Sequence, residues 1–241
     1  MLSENEARDA IIVALDCEKD EALDLAKKLS GKARWVKVGM TLFYAEGPQI
    51  VRAMHDAGMK VFLDLKLHDI PFQIKGAARS ASLSGADILS IHGMGGSAMV
   101  AQARAGVEEA AAERDGDRTR LVAISVLTSM DQDSLAEIGV NDKVEDEVSR
   151  LAKLAVGAGS DGIVCSPREA ADMRQLLGPD ALIVTPGVRP AGAAVGDQKR
   201  IATPATAMQA GASKLVIGRP ITQADSPVDA FEAIVRELVE D

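Results

Sequence analysis

FLDLKLHDIP, residues 62–71, begins as an apolar β-strand pattern and ends in charged side chains. Residues two apart on an extended strand face the same side, so Asp64 and Lys66 are predicted to face one way and the intervening leucines the other. Asp69 follows on the loop, from which it could reach a neighbouring subunit. Burying several charges is costly and is usually retained for a functional site. The DxKxxD pattern therefore predicts a charged site at the carboxyl end of this strand.

Seven other apolar runs share this strand pattern and alternate with segments that carry helix cap and stop signals. Each run is apolar at nearly every position, which is typical of strands buried on both faces of a parallel sheet. With KVFLDLK (60–66), the runs are AIIVALD (10–16), RWVKVGM (34–40), ILSIHG (88–93), RLVAISVL (120–127), GIVCS (162–166), ALIVTPG (181–187) and KLVIGR (214–219). Eight β–α units without a visible boundary predict an α/β chain that forms one (β/α)8 TIM barrel domain over residues 1–241.

An open, doubly wound sheet is the alternative fold. It would be expected to carry a glycine-rich phosphate-binding turn after its first strand. Asp16, Cys17 and Glu18 follow the first run instead. The closed barrel is therefore favoured.

The overall charge and the cysteines limit the classes of partner. A net charge of −9 argues against a nucleic-acid or anionic-membrane surface, because both need clustered cations. The start MLSENEARDA lacks signal-peptide features, and no run of about 18 apolar residues occurs. Cys17 and Cys165 lack a CxxC or Cys/His pattern, so we expect reduced thiols, with one long-range disulfide as the alternative. We expect a cytoplasmic protein that does not bind nucleic acid or membranes.

Charged residues at strand ends are the candidate site, because barrel active sites lie at the carboxyl ends of strands. Asp16 ends the first run, Lys37 lies in the second, Asp64 and Lys66 end the third, and His92 ends the fourth. Opposite charges crowded at a water-poor rim hold one another ionised. An isolated pair could equally be a solvated ion pair. His92 has no second His or Cys at ligand spacing, so no metal site is predicted.

The last two strands end in similar glycine- and arginine-containing turns, TPGVRP (185–190) and Gly218-Arg219-Pro220. Glycine lets backbone N–H groups approach an anion, and the guanidinium of Arg189 or Arg219 offers a planar fork of donors to phosphate. The long connection VRPAGAAVGDQKRIATP (188–204) is interpreted as a lid, in which Gln198 could add a neutral donor. Thr128, after the fifth run, could bind a polar substrate edge or merely cap a turn.

Five motifs resemble the bacterial-type orotidine 5′-phosphate decarboxylases. They are FLDLKLHDIP, LTSM (127–130), VTPGVRP (184–190), GDQ (196–198) and VIGRP (216–220). VALD (13–16) and VKVGMTLF (36–43) follow the same order, so the resemblance runs nearly end to end. It implies conversion of orotidine 5′-monophosphate to uridine 5′-monophosphate (UMP) and carbon dioxide, the last step of de novo UMP synthesis, without metal or organic cofactor.

The resemblance also implies a role for each candidate residue. Lys66 would be the proton donor, and Asp64 would lie near the departing carboxylate. Lys37 would complete the charged array and contact the ribose together with Asp16. Asp69 would come from the other subunit of a homodimer. The remaining substrate- and phosphate-binding residues would be Thr128, Arg189, Gln198, Gly218 and Arg219.

The chain departs from the family pattern at two places. Phe72 and Gln73 stand where the family commonly has Asn-Thr, and Met94 stands where a small residue is usual. The enzyme alternative is a hexulose-phosphate synthase or ketogulonate-phosphate decarboxylase, which also carries DxKxxD but works through a magnesium-bound enediolate. A catalytically silent nucleotide-binding regulator is the alternative of another class, and the intact DxKxxD motif counts against it.

Overall fold

Eight parallel strands close into a barrel in chain order in the computed structural model, which describes residues 2–114, 116–190 and 202–240. Each strand pairs with the next along the chain, and β1 pairs with β8 to close the sheet. The predicted (β/α)8 barrel is therefore confirmed. The strands β1 to β8 are Ile11–Leu15, Trp35–Gly39, Lys60–Leu67, Ile88–His92, Arg120–Ile124, Gly162–Val164, Leu182–Pro186 and Lys214–Ile217.

A helix follows each strand, as the alternating pattern predicted. The helices that follow strands β1 to β8 as main crossovers are α2 Lys19–Leu29, α4 Gln49–Asp56, α5 Pro71–Leu83, α6 Gly96–Arg114, α8 Val144–Gly157, α9 Ala170–Leu177, α10 Pro204–Gln209 and α12 Pro227–Glu240. Among the described residues, shorter helices interrupt this alternation. They are α1 Glu4–Ala10, α3 Met40–Glu46, α7 Gln132–Glu137 and α11 Arg219–Thr222.

Side chains from alternate strand positions fill the barrel interior. Phe62 and the aliphatic residues level with it form one apolar cluster inside the barrel, which makes the interior a packed core rather than a pore. Leu63 and Leu65 belong to the outer cluster between strands and helices, as predicted. The inward face of β3 is thus apolar at Phe62 and becomes charged towards its carboxyl end.

A cavity of about 640 Å³ lies at the amino-terminal end of the barrel, away from the charged strand ends. Asp9 organises one side of it. Its carboxylate accepts hydrogen bonds from Trp35 Nε1 at 2.9 Å and from Lys214 Nζ at 2.6 Å. Lys214 Nζ also lies 4.5 Å from the centroid of the Trp35 ring. This end of the barrel is the one associated with stability rather than catalysis, and the contacts tie α1 to β2 and β8.

Because Asp9 pairs with Lys214, we expect the Asp9→Ala variant to be less stable than the wild type. Burial would raise the pKa of Asp9, but the Lys214 and Trp35 hydrogen bonds outweigh it and lower that pKa. We expect the free energy of unfolding in urea to fall by about 2 kcal/mol, less than for a fully buried pair because the Asp9 side chain is 41% exposed. Since the folded pKa is lowered, this contribution is present above about pH 4 and is lost as the pH falls further.

Asp24→Ala is the matched control, because Asp24 pairs with Lys28 on the exposed surface of α2 at 2.6 Å. We expect that variant to lose less than about 0.5 kcal/mol. Equal losses in the two variants would contradict a special role for the buried Lys214 ammonium.

Both cysteines are free thiols, so the alternative of a long-range disulfide is wrong. Burial, followed by the nearby Glu21 and Asp16, raises the pKa of Cys17 to about 11, which leaves an unreactive thiol at neutral pH. No helix in the described part of the chain is both long and apolar enough to cross a membrane.

Candidate active site

Four of the predicted charged residues meet at the carboxyl ends of β1, β2 and β3. Lys66 Nζ donates to Asp64 Oδ2 at 2.8 Å, and Lys37 Nζ lies 3.6 Å from the same oxygen. Lys37 Nζ also donates to Asp16 Oδ1 at 2.7 Å. The result is an alternating row of two carboxylates and two ammonium groups, in the order Asp16, Lys37, Asp64 and Lys66.

Asp64 is the centre of this row. Its side chain and that of Lys37 are each 10% exposed, whereas the Lys66 side chain is 30% exposed. Burial would raise the pKa of Asp64, but Lys37 and then Lys66 outweigh it, together with a hydrogen bond from Ser90, and hold that pKa below its usual range. Asp64 is therefore a buried, fully ionised carboxylate that fixes both ammonium groups.

The backbone at Lys66 departs from the extended conformation on which the sequence prediction relied. Its φ is +50°, and it is the one non-glycine residue with positive φ in the described ranges. The pairing with β4 shifts here, since β3 advances from Leu63 to Leu67 while β4 advances only from Leu89 to Ile91. A left-handed conformation costs a non-glycine residue about 1–2 kcal/mol. The bulge lets Lys66 Nζ meet Asp64 even though the strand is no longer regular.

Two adjoining cavities open above this row. The first, about 150 Å³, has the charged groups of Lys37, Asp64 and Lys66 on one side and apolar side chains and Thr128 on the other. The second is about 470 Å³, and Lys37, Pro186 and Val216 line both. The two cavities can therefore hold connected parts of one ligand, and the part in the first cavity would lie against apolar side chains.

Cationic and acidic side chains both line the second cavity. Arg189 is buried and Arg219 is exposed, and both line it together with Gly187 and Gly218. Gly187 has a φ of +79°, which favours glycine at this turn. A Cβ on Gly218 would meet Ala14 Cβ at an ordinary 3.5 Å, so packing within the chain does not demand glycine there. The two guanidinium groups beside these glycine-containing turns suit an anion.

Two of the predicted residues are not part of this assembly. Asp69 is exposed, and its Oδ1 accepts the neighbouring Ile70 N–H at 2.6 Å. No ion pair joins it to a described residue of its own chain. Gln198 lies outside the described residues, as does most of the predicted lid. The ends of that connection do meet, because Val188 bridges Ala202 and Arg189 N donates to Ala202 O at 2.9 Å.

Two histidines flank the charged row. The rings of His68 and His92 stack with centroids 5.2 Å apart. Burial, followed by His68 and Lys66, lowers the pKa of His92 to about 4, so that imidazole is uncharged at neutral pH. His92 Nδ1 accepts the Met94 N–H at 3.4 Å. These contacts are those of a structural histidine.

Ser90 was missed by the sequence analysis. Its side chain is fully buried and donates to Asp64 Oδ1 at 2.8 Å, while it accepts the backbone N–H of Lys66 at 2.8 Å. Its position in the strand could have revealed it. Ser90 lies two residues before His92, so it faces the same way, into the barrel, between apolar neighbours. A polar residue at such a position needs a partner inside the barrel.

Comparison with known proteins agrees with this geometry. Residues 9–234 match the model of the orotidine 5′-phosphate decarboxylase / HUMPS family. A protein named orotidine 5′-phosphate decarboxylase from Alkalilimnicola ehrlichii is 50% identical over 229 residues, which cover 95% of each chain. One from Moorella thermoacetica is 49% identical, over 96% of this chain and 93% of that one.

A solved structure shares both fold and sequence with this chain. The orotidine 5′-phosphate decarboxylase from Lactobacillus acidophilus superimposes with a TM-score of 0.85 at 36% identity, over 95% of this chain and 99% of that one. The family match over residues 9–234 spans all eight strands of the barrel. The chain belongs to the orotidine 5′-phosphate decarboxylase / HUMPS family.

Proposed function

We propose that this chain decarboxylates orotidine 5′-monophosphate to UMP and carbon dioxide. The observation that carries the proposal is the Lys66–Asp64–Lys37 row beside a small apolar-walled cavity that adjoins a second, arginine-lined cavity. A pyrimidine ring fits the chemistry of the first, and a 5′-phosphate that of the second. The family and the names of the relatives support the same reaction.

Lys66 supplies the chemistry in this proposal. The bond between C6 of the pyrimidine and its carboxylate breaks, and the electron pair stays on C6 as carbon dioxide leaves. An ammonium already fixed beside C6 stabilises that negative charge and then donates its proton to C6. Because Asp64 Oδ2 holds Lys66 Nζ at 2.8 Å before substrate arrives, little reorganisation is needed when the charge develops.

Asp64 and Lys37 act around that step. The Asp64 carboxylate lies beside the group that leaves, and it positions the Lys66 ammonium. Lys37, which contacts both Asp64 and Asp16, keeps the buried carboxylate ionised. Asp16 and Lys37 also border the second cavity, where they can bind ribose hydroxyls. Thr128 faces the first cavity from the β5 side and is proposed to bind a polar edge of the pyrimidine.

The contacts of Asp64 disfavour a magnesium-dependent reaction at this site. A cation would have to compete with Lys37 and Lys66 for Asp64, since one oxygen of that carboxylate already faces two ammonium groups and the other accepts from Ser90. Hard cations bind through several oxygen ligands. We expect the loss of ultraviolet absorbance of orotidine 5′-monophosphate to proceed unchanged in excess EDTA.

Two outcomes of that assay would overturn the proposal. Turnover that stops in EDTA and returns with Mg²⁺ would indicate the enediolate type of chemistry instead. Tight binding of UMP without any decarboxylation would indicate a nucleotide-binding regulator.

Arg219→Ala tests the phosphate end of the site. We propose that Arg219, with Arg189, Gly218 and Gln198, binds the 5′-phosphate. Loss of a charge-assisted hydrogen bond of about 1.5–3 kcal/mol should raise the KM for the substrate about tenfold to a hundredfold. Arg52→Ala, which removes an exposed arginine from α4, is the control of equal charge. An unchanged KM in Arg219→Ala would refute the phosphate assignment.

We further propose that the working enzyme is a homodimer that joins at this end of the barrel. Large apolar side chains are exposed in the segments that follow β2, β3, β4 and β5, and they are Met40, Tyr44, Ile70, Phe72, Met94 and Leu127. Exposed apolar patches of this kind mark protein interfaces. Both departures from the family pattern, at Phe72 and at Met94, fall on this rim.

Asp69 would be shared across that interface. It is exposed on the loop after β3 and beside a third cavity of about 540 Å³ that Lys66, Gln73 and Tyr44 also line. A second copy of the chain can cover this cavity and direct its own Asp69 towards the Lys66 ammonium. We propose that residues 1–241 act as one catalytic domain of such a dimer, in the cytoplasm, where the free thiols of Cys17 and Cys165 remain reduced.

A further inference from the structure

We infer that Ser90 is a positioning residue for this reaction, acting through Asp64 and Lys66; the inference rests on the function proposed above. Ser90 has no accessible surface, so its hydroxyl cannot touch a ligand in either cavity. Any effect it has on turnover must pass through Asp64 and Lys66, the two residues to which it is hydrogen-bonded.

The hydrogen bonds of Ser90 close a ring around the proton donor. The Lys66 backbone N–H donates to Ser90 Oγ, and Ser90 Oγ donates to Asp64 Oδ1, each at 2.8 Å. The other carboxylate oxygen, Oδ2, accepts Lys66 Nζ at 2.8 Å. One hydroxyl thus connects the backbone of Lys66 to the carboxylate that holds the ammonium of the same residue.

The bulge in β3 is the reason that a side chain is needed here. Between the Leu63–Leu89 and Leu67–Ile91 pairs the regular ladder with β4 is interrupted, and Lys66 has a φ of +50°. Its N–H therefore donates to a side chain of β4, and a buried N–H left without an acceptor is unfavourable. Ser90 stabilises the left-handed turn that directs Lys66 towards Asp64.

The hydroxyl also fixes the rotation of the Asp64 carboxylate. Lys66 and Lys37 both contact Oδ2. Of the hydrogen bonds that the described residues make, the one from Ser90 holds Oδ1. A carboxylate held at both oxygens keeps one orientation, so the ammonium that it carries keeps one position. An error of about 1 Å in such a position can cost about a hundredfold in rate.

Ser90→Ala is the direct test. We expect kcat to fall about tenfold to a hundredfold, because the ammonium is less well positioned, while the affinity for UMP changes only a few-fold. Ser90→Thr keeps the hydroxyl and should recover most of the lost kcat. Ser82 in α5 is also buried, but its Oγ contacts another hydroxyl, Thr119 Oγ1, at 2.7 Å. Its hydrogen bonding therefore differs too much from that of Ser90 for a Ser82 variant to be the best control.

Ser160→Ala is the matched control. Ser160 is also buried, and its one hydroxyl proton is shared between Leu121 O at 3.0 Å and Gly162 O at 2.7 Å, but it lies before β6 at the amino-terminal end of the barrel. Its alanine variant should lose stability to urea as Ser90→Ala does, while kcat stays at the wild-type value.

The outcomes separate this inference from the proposed function. An inactive wild-type protein would overturn both. An active wild type with kcat retained in Ser90→Ala would overturn the inference alone, as would an equal loss of kcat in Ser160→Ala, an equal loss of UMP affinity, or failure of Ser90→Thr to recover more activity than Ser90→Ala.

Discussion

Replacing Lys66 with alanine is expected to lower kcat by at least about 10⁴-fold, the upper end of what a positioned general acid contributes, because electrostatic stabilisation at C6 is lost as well. The affinity for UMP should change only a few-fold, since UMP carries no developing charge at C6. Asp64 keeps Lys37 and Ser90 as partners in this variant, so the carboxylate is not left buried and unpaired. Decarboxylation assays and equilibrium binding of UMP measure the two quantities.

Lys28→Ala, which removes an exposed lysine from α2, is the control for a general effect of lost charge. It should leave both quantities unchanged. If Lys66→Ala weakened UMP binding as much as it lowered kcat/KM, Lys66 would be holding the ground-state ligand instead of the transition state. Retained turnover in Lys66→Ala would exclude it as the proton donor.

The barrel could be predicted from sequence because its strands are buried on both faces. Such strands read as continuous apolar runs, and a charge at the end of a run then stands out, as Asp16 and Asp64 do. Once the strands are known to be parallel and closed, their carboxyl ends must share one rim, which brings Lys37 and Lys66 together. The prediction of the charged row thus followed from topology.

The bulge could not be predicted, because it depends on contacts between two strands that are separated along the chain by a whole helix. The parity argument applied to β3 assumed a regular strand, and Lys66 instead adopts a φ of +50°. Ser90, which accepts its N–H, is 24 residues away. Nothing in the local sequence ILSIH shows whether its serine supports the site or donates its hydroxyl to a nearby backbone carbonyl.

Asp69 illustrates a different limit. The sequence alone predicts that Asp69 lies on the loop beyond Asp64 and Lys66, and in the structure it is exposed on the loop after β3. Its proposed contact requires a second copy of the chain, so neither the sequence nor one subunit can test it. A solution experiment with two inactive variants can.

Mixing Asp69→Ala with Lys66→Ala subunits is expected to restore activity that neither variant has alone. In a two-fold symmetric dimer with shared sites, each heterodimer has one site with both alanines and one site with neither. Equal amounts that reassociate at random give heterodimers as half of all dimers, so about a quarter of the wild-type activity per subunit should return. Two different affinity tags and sequential purification would isolate the heterodimers for assay.

A mixture of Lys66→Ala with Asp64→Ala subunits is the matched control. Lys66 and Asp64 contact each other within one chain, so every heterodimer of this pair has a defect in both sites and should stay inactive. Recovery in this control would mean that subunits exchange whole strands or that one variant is not truly inactive. Purified Asp69→Ala/Lys66→Ala heterodimers without activity would show that Asp69 serves the site of its own chain, and the role of the exposed apolar rim would then be assembly alone.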